Sequence, residues 1–390
     1  MSDKRIPLAE PFLGGNERQY LNECLDTNFV SSVGPFVDRF EREFAAAVGA
    51  RHAIACASGT AAIHVALRLL GVEPGDEVFV SSLTFIASAN PILYEKAVPV
   101  LVDSETETWN LDPALVAEEL DRRARLGLRQ PKAVEAVHLL GQPARIADLA
   151  DACARHGVIL FEDASEALGA SYGDGPHAGR QVGTIGRVGC YSFNGNKLMT
   201  TGGGGMITTD DPALAKRAKH LTTQARVPGI EYNHDEVGYN YRLTNLAAAL
   251  GVAQLEQLGD LLDRKQRIAR RYDEALASIG GVAAAPRPAW SKPTFWLYSA
   301  LVDAEAFGLN SRALHTVLRE QAIETRPIWS PLHTMSLFAD APRVGSGKVA
   351  ENLFARALSL PCSAGLTPDD QDRVIAAVAS ARAGNGARPS

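Results

Sequence analysis

The chain has 390 residues, 46% of them hydrophobic and 22% charged, with 34 Gly and 21 Pro, which is the composition of a globular protein with a large buried core. A formal net charge of -6 with no clustered basic surface argues against a nucleic-acid footprint. No window reaches the ~18 apolar residues of a membrane span, which argues against a membrane protein.

Met1 to Arg5 and the Ile6-Pro7-Leu8 that follows carry no apolar signal-peptide core, so a cytoplasmic location is expected. From about residue 50 to 210, short β-rich runs alternate with helical patterns. Ala61–Leu70 reads as a buried helix, and Glu77–Phe85 and Val98–Val102 as strands. Ala133–Leu140 and Val158–Glu162 repeat the strand signal with a helix, Ile146–His156, between them. The strands are apolar at nearly every position, as strands covered on both faces are. The alternation predicts right-handed βαβ crossovers and a mainly parallel central sheet with helices on both faces.

Beyond residue 210 the texture changes. Leu243–Leu262 and Arg264–Ile279 read as long helices, and the Pro-rich 284–293 segment as a connector. Thr294–Val302 reads as a strand, and Arg312–Gln321 and Pro368–Ala381 as helices of a smaller C-terminal α+β domain. The expected division is 1–262 for the large α/β domain with an N-terminal arm and 263–390 for the small one. Ala383–Ser390 reads as a frayed tail. The densest basic stretch, Arg264-Lys265-Gln266-Arg267 with Arg270 and Arg271, sits among both signs of charge and reads as a solvated helix face. Cys24, Cys56, Cys153, Cys190 and Cys362 are odd in number and scattered, which points to reduced, mostly buried thiols and no metal site.

Three clusters could carry chemistry. Ser58-Gly59-Thr60 precedes a helix, where Ser and Thr cap free N–H groups and Gly admits an anion to the backbone; a plain N-cap is the competing and commoner reading. Glu162-Asp163-Ala164 closes the apolar strand Val158-Ile159-Leu160-Phe161, and the carboxyl ends of parallel strands are where ligands bind. A helix-capping aspartate explains it as well. In Ser192-Phe193-Asn194-Gly195-Asn196-Lys197, followed by Thr200, Thr201 and Gly202 to Gly205, one lysine stands among polar and Gly-rich residues. The P-loop pattern fails because Asn196 separates Gly195 from Lys197, and the glycine run fails as a Rossmann fingerprint. A desolvated lysine suits Schiff-base chemistry, since burial lowers its pKa and frees the amine. Pyridoxal phosphate (PLP) needs a phosphate cradle, an acid against its ring nitrogen and an amine for its aldehyde, and the three clusters supply these in order.

On these residues the chain resembles the DegT-like sugar-nucleotide aminotransferases, a branch of the fold-type-I PLP enzymes. The resemblance runs from about Ile6 to Ala376 and adds Thr84-Phe85 and Gly238-Tyr239-Asn240-Tyr241-Arg242 to the three clusters. It implies that Lys197 forms the Schiff base and moves the proton, and that Asp163 pairs with the pyridinium nitrogen. It implies that Phe85 stacks on the ring and that Ser58, Gly59, Thr60 and Ser192 hold the phosphate. Glu166 is placed beside the cofactor without a defined role. Asn240 and Arg242 are expected to reach the cofactor of a neighbouring subunit, which implies a homodimer with shared active sites. Ser31, Ser32, Asn196, Arg326 and His333 are the candidates for the sugar nucleotide, with a buried structural histidine an equal reading for His333. No metal is implied.

The implied reaction takes an amino group from L-glutamate, releases 2-oxoglutarate, and passes through the pyridoxamine phosphate form to a 4-keto sugar. The segments Asn28–Gly34, Asp103–Asn110 and Asn194–Lys197 resemble most the enzymes acting on UDP-linked 4-keto-6-deoxy-N-acetylhexosamines of the legionaminic acid and bacillosamine routes. GDP-perosamine-type and dTDP-sugar amination are the alternatives. A PLP sugar dehydratase, in which histidine replaces the lysine, and a non-catalytic protein of the same fold are the competing readings. Lys197 counts against the first, and the intact set of Asp163, Ser192 and Lys197 against the second.

Overall fold

The computed structural model describes residues 4–383. The apolar runs form the strands of one eight-stranded sheet: β1 His52–Cys56, β2 Glu77–Ser81, β3 Val98–Val102, β4 Ala133–Val137, β5 Ile159–Asp163, β6 Gly189–Ser192, β7 Gly205–Thr209 and β8 Arg343–Val344. Their spatial order is β1-β7-β6-β5-β4-β2-β3-β8. Only β7 runs against its neighbours β1 and β6; the remaining pairings are parallel.

Helices cover both faces. On one side Phe36, Phe40 and Phe44 of the helix Pro35–Val48 pack against Tyr191, Phe193 and Ala248. On the other, Ile63, Ala66 and Leu67 of the helix Gly59–Leu69 pack with Val78, Val80 and Phe161. Full burial on both faces explains why the strands read as unbroken apolar runs rather than alternating ones. The order in which strands are added reverses at β2, with β3 on one side and β4 on the other, which opens a crevice at the carboxyl ends of β2, β4, β5 and β6.

The C-terminal part builds a four-stranded antiparallel sheet in the order Arg326–Pro327, Ala357–Leu360, Tyr298–Val302, Val282–Ala284. It encloses a second core of Trp296, Tyr298, Leu314, Leu318 and Leu358. Ile6 belongs to that core and bridges to Ile323, so the N-terminal arm packs on the C-terminal part. The helix Leu258–Leu276 runs across residues 262 and 263, and β8 leaves the C-terminal part to join the edge of the large sheet beside β3.

The long helices differ from the sequence expectation. They span Asn245–Leu255 and Leu258–Leu276, and the break falls at Glu256-Gln257 rather than at residue 263. The N-terminal arm explains it: Gln254 donates to Phe12 and Glu17, and Gln257 to Glu17, while an Arg264–Asp260 pair spans the place where a break was expected. The basic stretch is not wholly solvated either. Lys265 is buried and its Nζ donates to the carbonyls of Trp296 (2.9 Å) and Cys362 (2.5 Å). All five cysteines are free and buried. Among the described residues no helix is long and apolar enough to cross a membrane. The expected frayed tail lies outside the described residues apart from the backbone of Ala383, where the last helix ends.

Candidate active site

A cleft of about 480 Å³ opens at the carboxyl ends of the central strands. Its lining brings together Ser58, Gly59, Thr60, Phe85, Asp163, Glu166, Ser192, Asn196, Lys197 and Arg326. These residues come from widely separated stretches of chain, which the parallel sheet gathers at one edge.

Ser58 caps the helix Gly59–Leu69: its extended backbone turns the chain and its Oγ accepts from Ala61 N at 3.0 Å. The capping reading therefore holds for this serine, and the same helix N-terminus faces the cleft. Gly59 is required by close approach, because a Cβ there would lie 2.7 Å from Ser192 Cβ and 3.1 Å from Ser165 Oγ. Gly59 thus lets the helix start pack closely against Ser192, which sets that hydroxyl beside the helix's free N–H donors at the cleft.

Asp163 ends β5 and is buried. Its Oδ2 accepts from Ser88 Oγ at 2.8 Å, which is itself 2.9 Å from Thr84 Oγ1, and its Oδ1 accepts from Ser165 N at 3.0 Å. Two donors hold the carboxylate in one orientation.

Lys197 follows a turn closed by its own N–H to Asn194 O at 3.0 Å. Its side chain is 13% exposed, with Nζ 3.9 Å from Glu166 Oε1 and 3.7 Å from the centre of the Trp296 ring. Burial lowers the lysine's pKa, against the charges of Glu166 and Asp163, which raise it. Burial raises that of Glu166, against Lys197 and the Leu140 N–H that donates to its Oε2 at 2.7 Å. Both groups are pushed towards their neutral forms, and a neutral amine is a nucleophile.

Three functional neighbours escaped the sequence reading. Ser88 sits three residues beyond Phe85 with no local pattern to mark it. Trp296 and Trp329 reach the cleft from the C-terminal part and stack on each other at 6.2 Å, while Phe85 meets Trp329 at 5.0 Å. Trp296 also donates from Nε1 to Asn196 O at 2.7 Å, tying the lysine loop to the small sheet's side.

Five of the expected residues lie elsewhere. His333 is buried outside the cleft, with Nδ1 2.5 Å from Ser82 Oγ and Nε2 3.0 Å from Glu351, so both ring nitrogens are engaged. Ser32 and Arg242 line a separate cavity of about 200 Å³ with Gly34, Lys219 and Thr223. Ser31 accepts from Asn245 N at 2.6 Å, and Asn240 is exposed, bridging to Thr223. Of the Asp103–Asn110 segment, Asp103 is occupied in capping the helix Lys348–Arg356 through Ala350 N, and none of it lines the cleft. A larger groove of about 650 Å³ beneath β5 and β7, with Arg180 and Arg187 on its rim, contains none of the expected site residues.

The sequence matches the DegT/DnrJ/EryC1/StrS aminotransferase family over residues 11–379. It is 44% identical to EpsN of Bacillus subtilis (strain 168), provisionally named a pyridoxal phosphate-dependent aminotransferase, covering 95% of this chain and 94% of that one. It is 42% identical to the GDP-perosamine synthase of Caulobacter vibrioides, covering 97% of this chain and 99% of the other. Among solved structures it superposes on the aminotransferase TlmJ from Streptoalloteichus hindustanus with a TM-score of 0.87, at 30% identity, over 98% of this chain and 100% of that one. The match over nearly the whole length, with an amine, a fixed carboxylate and a helix N-terminus sharing one cleft, makes the chain a member of the DegT/DnrJ/EryC1/StrS family of sugar aminotransferases.

Proposed function

We propose that this enzyme uses PLP to move an amino group from L-glutamate to the ketone of a nucleotide-linked 4-keto-6-deoxyhexose. The observation that carries the proposal is the pairing of Lys197 and Glu166, both driven towards neutrality, in the cleft that also holds the oriented carboxylate of Asp163. The residues fit PLP: the missing Cβ at 59 lets Ser192 stand close beside the helix N-terminus, and Asp163 has its two oxygens fixed by Ser88 and Ser165. When bound, PLP supplies an electron sink for breaking and making bonds at the amino-bearing carbon.

The chain's own residues do the rest. Thr60, Ser192 and the N–H groups at the start of the helix Gly59–Leu69 hold the phosphate. Asp163 keeps a proton on the ring nitrogen. Lys197 Nζ would hold the cofactor through its amine and, when freed, would carry a proton beside the amino-bearing carbon. Glu166, 3.9 Å from that amine and pushed towards its protonated form by burial, can give a proton up and take it back. Phe85, Trp296 and Trp329 exclude water from the cleft, and Arg326 on its rim meets the substrate diphosphate.

Both UDP- and GDP-linked substrates stay in the proposal. Asn194–Lys197 lines the cleft and carries the likeness to UDP-sugar enzymes, whereas the Caulobacter relative is named for GDP-perosamine. A homodimer belongs to the reading as well: Asn240 is exposed and outside the cleft, and apolar Ile230, Tyr232 and Val237 on the preceding loop are 99%, 78% and 76% exposed.

The test is to incubate the enzyme with PLP, glutamate and a panel of UDP-, GDP- and dTDP-4-keto-6-deoxy sugars. The absorbance band at about 410 nm shifts to about 330 nm on adding glutamate, and one sugar yields a 4-amino product. A band that shifts without any amino sugar forming would remove the sugar assignment and leave PLP chemistry standing. Gly59→Ala is expected to weaken PLP binding by roughly tenfold or more, because its methyl group collides with Ser192 and pushes that hydroxyl away from the helix N-terminus. Fluorescence titration with PLP measures it, and an unchanged affinity places the phosphate elsewhere.

A further inference from the structure

Glu135 stands in the middle of β4, inside the apolar run Ala133–Val137. It is fully buried, and neither carboxyl oxygen has a hydrogen-bond partner. An ionised carboxylate with no donor in a protein interior costs several kcal/mol, so the group takes up a proton instead.

Its place relative to the active site follows from strand register. Glu135 pairs with Phe161 on β5, and Val137 pairs with Asp163. Glu135 and Asp163 therefore share one face of the sheet on adjacent strands, two residues apart in register, with Cβ atoms roughly 8 Å apart from strand rise and spacing. That face also carries Cys190 of β6, opposite Asp163, and Cys56 of β1, and both thiols are held protonated by burial. His64, on the helix packed over the face, is engaged with Glu95 and Tyr241. Glu162 points to the opposite face, where His138 and the N–H groups of Gly183, Ile185 and Gly186 hold it.

The two carboxyls are unequal. Asp163 receives a hydroxyl and a backbone N–H, and Glu135 receives nothing. A single negative charge on the pair therefore settles on Asp163 and a single proton on Glu135. Burial first, and the charge of Asp163 second, push the Glu135 carboxyl well above the usual range.

We propose that Glu135 and Asp163 hold one proton between them, on Glu135, making Glu135 a positioning residue that keeps Asp163 ionised where it faces the cofactor ring. The ring's part in this rests on the PLP reading above. Positive charge brought opposite Asp163 lowers the proton affinity of Glu135 in turn, so loading the site shifts the titration of a residue that touches no ligand.

Infrared spectroscopy of the full chain reads the proton directly, through the C=O stretch of a buried carboxylic acid followed against pH. The PLP-free wild type is expected to show this band at neutral pH, and Glu135→Gln to lack it. In PLP-free Asp163→Asn, which leaves Glu135 in place, the midpoint is expected to fall by about one pH unit, a tenfold loss of proton affinity. PLP loading of the wild type is expected to lower the midpoint as well. No band in the wild type, a band that survives in Glu135→Gln, or a midpoint unmoved by Asp163→Asn overturns the shared proton. If those titrations behave as expected but the chain takes up no PLP, the cofactor reading fails and the positioning role fails with it, while the shared proton stands.

Discussion

Lys197→Ala is expected to abolish transamination, lowering the single-turnover rate with glutamate by roughly four orders of magnitude, and to remove the visible band of the PLP-loaded protein. Lys197 is the one lysine among the residues lining the cleft, so no second amine stands ready to replace it. Its Nζ lies over the Trp296 ring and 3.9 Å from Glu166. Truncation breaks no short hydrogen bond and should leave the fold intact, and thermal unfolding of the variant checks this. The loss would then be chemical rather than structural. Lys197→Arg separates charge from reactivity: it keeps the cation over Trp296 and should be as inactive as alanine. Turnover within tenfold of wild type in either variant would move the reacting amine to another residue.

Asp163→Asn is the second large effect, expected to lower the same rate by roughly a thousandfold while PLP still binds. Asparagine has nearly the same shape, and its amide oxygen can still accept from Ser88 or from the Ser165 N–H. What it lacks is the charge that holds a proton on the ring nitrogen. The measurement pairs rapid-mixing kinetics with the ¹⁵N chemical shift of labelled PLP, which reports whether the ring is protonated. A slow enzyme with a ring still protonated would assign the defect to geometry instead.

The buried acid beneath that aspartate also carries a stability consequence with a definite sign. Glu135 has a folded-state pKa raised above its ordinary value of 4.5, so the folded chain binds the extra proton. Its contribution is fully present below about pH 4.5 and declines as pH rises towards the raised value, by about 1.4 kcal/mol for each unit.

Much of this arrangement was legible in the residues, for identifiable reasons. Parallel strands buried on both faces leave continuous apolar runs, and Val98–Val102 and Ile146–His156 are bounded as the pattern predicted. Strand ends and helix starts bear polar residues, which exposed Asp163, Ser58 and Lys197 as a set. What comes from another part of the chain left no local trace: nothing in the pattern around Trp296 or Trp329 marks them for the cleft that they line. Glu135 passed as one polar letter in an apolar strand, because pattern reports where a residue points and not whether it finds a partner. His333 was a candidate for the sugar nucleotide, with a buried structural histidine the equal reading, and Ser82 and Glu351 engage it away from the cleft. Lys265 was counted with its exposed neighbours, and only the meeting of two distant carbonyls shows why it turns inward.

The two-residue strand β8 is small, yet it decides when the large sheet is finished. Pro342 and Val344 accept from Leu101 and Asp103, which otherwise would present the open N–H edge of β3. Seven strands are complete by Thr209, but that edge stays uncovered until the ribosome has supplied more than a hundred further residues. During synthesis the nascent chain therefore carries a sticky border that a second nascent chain can extend, until a segment far downstream of the other seven strands emerges and seals it.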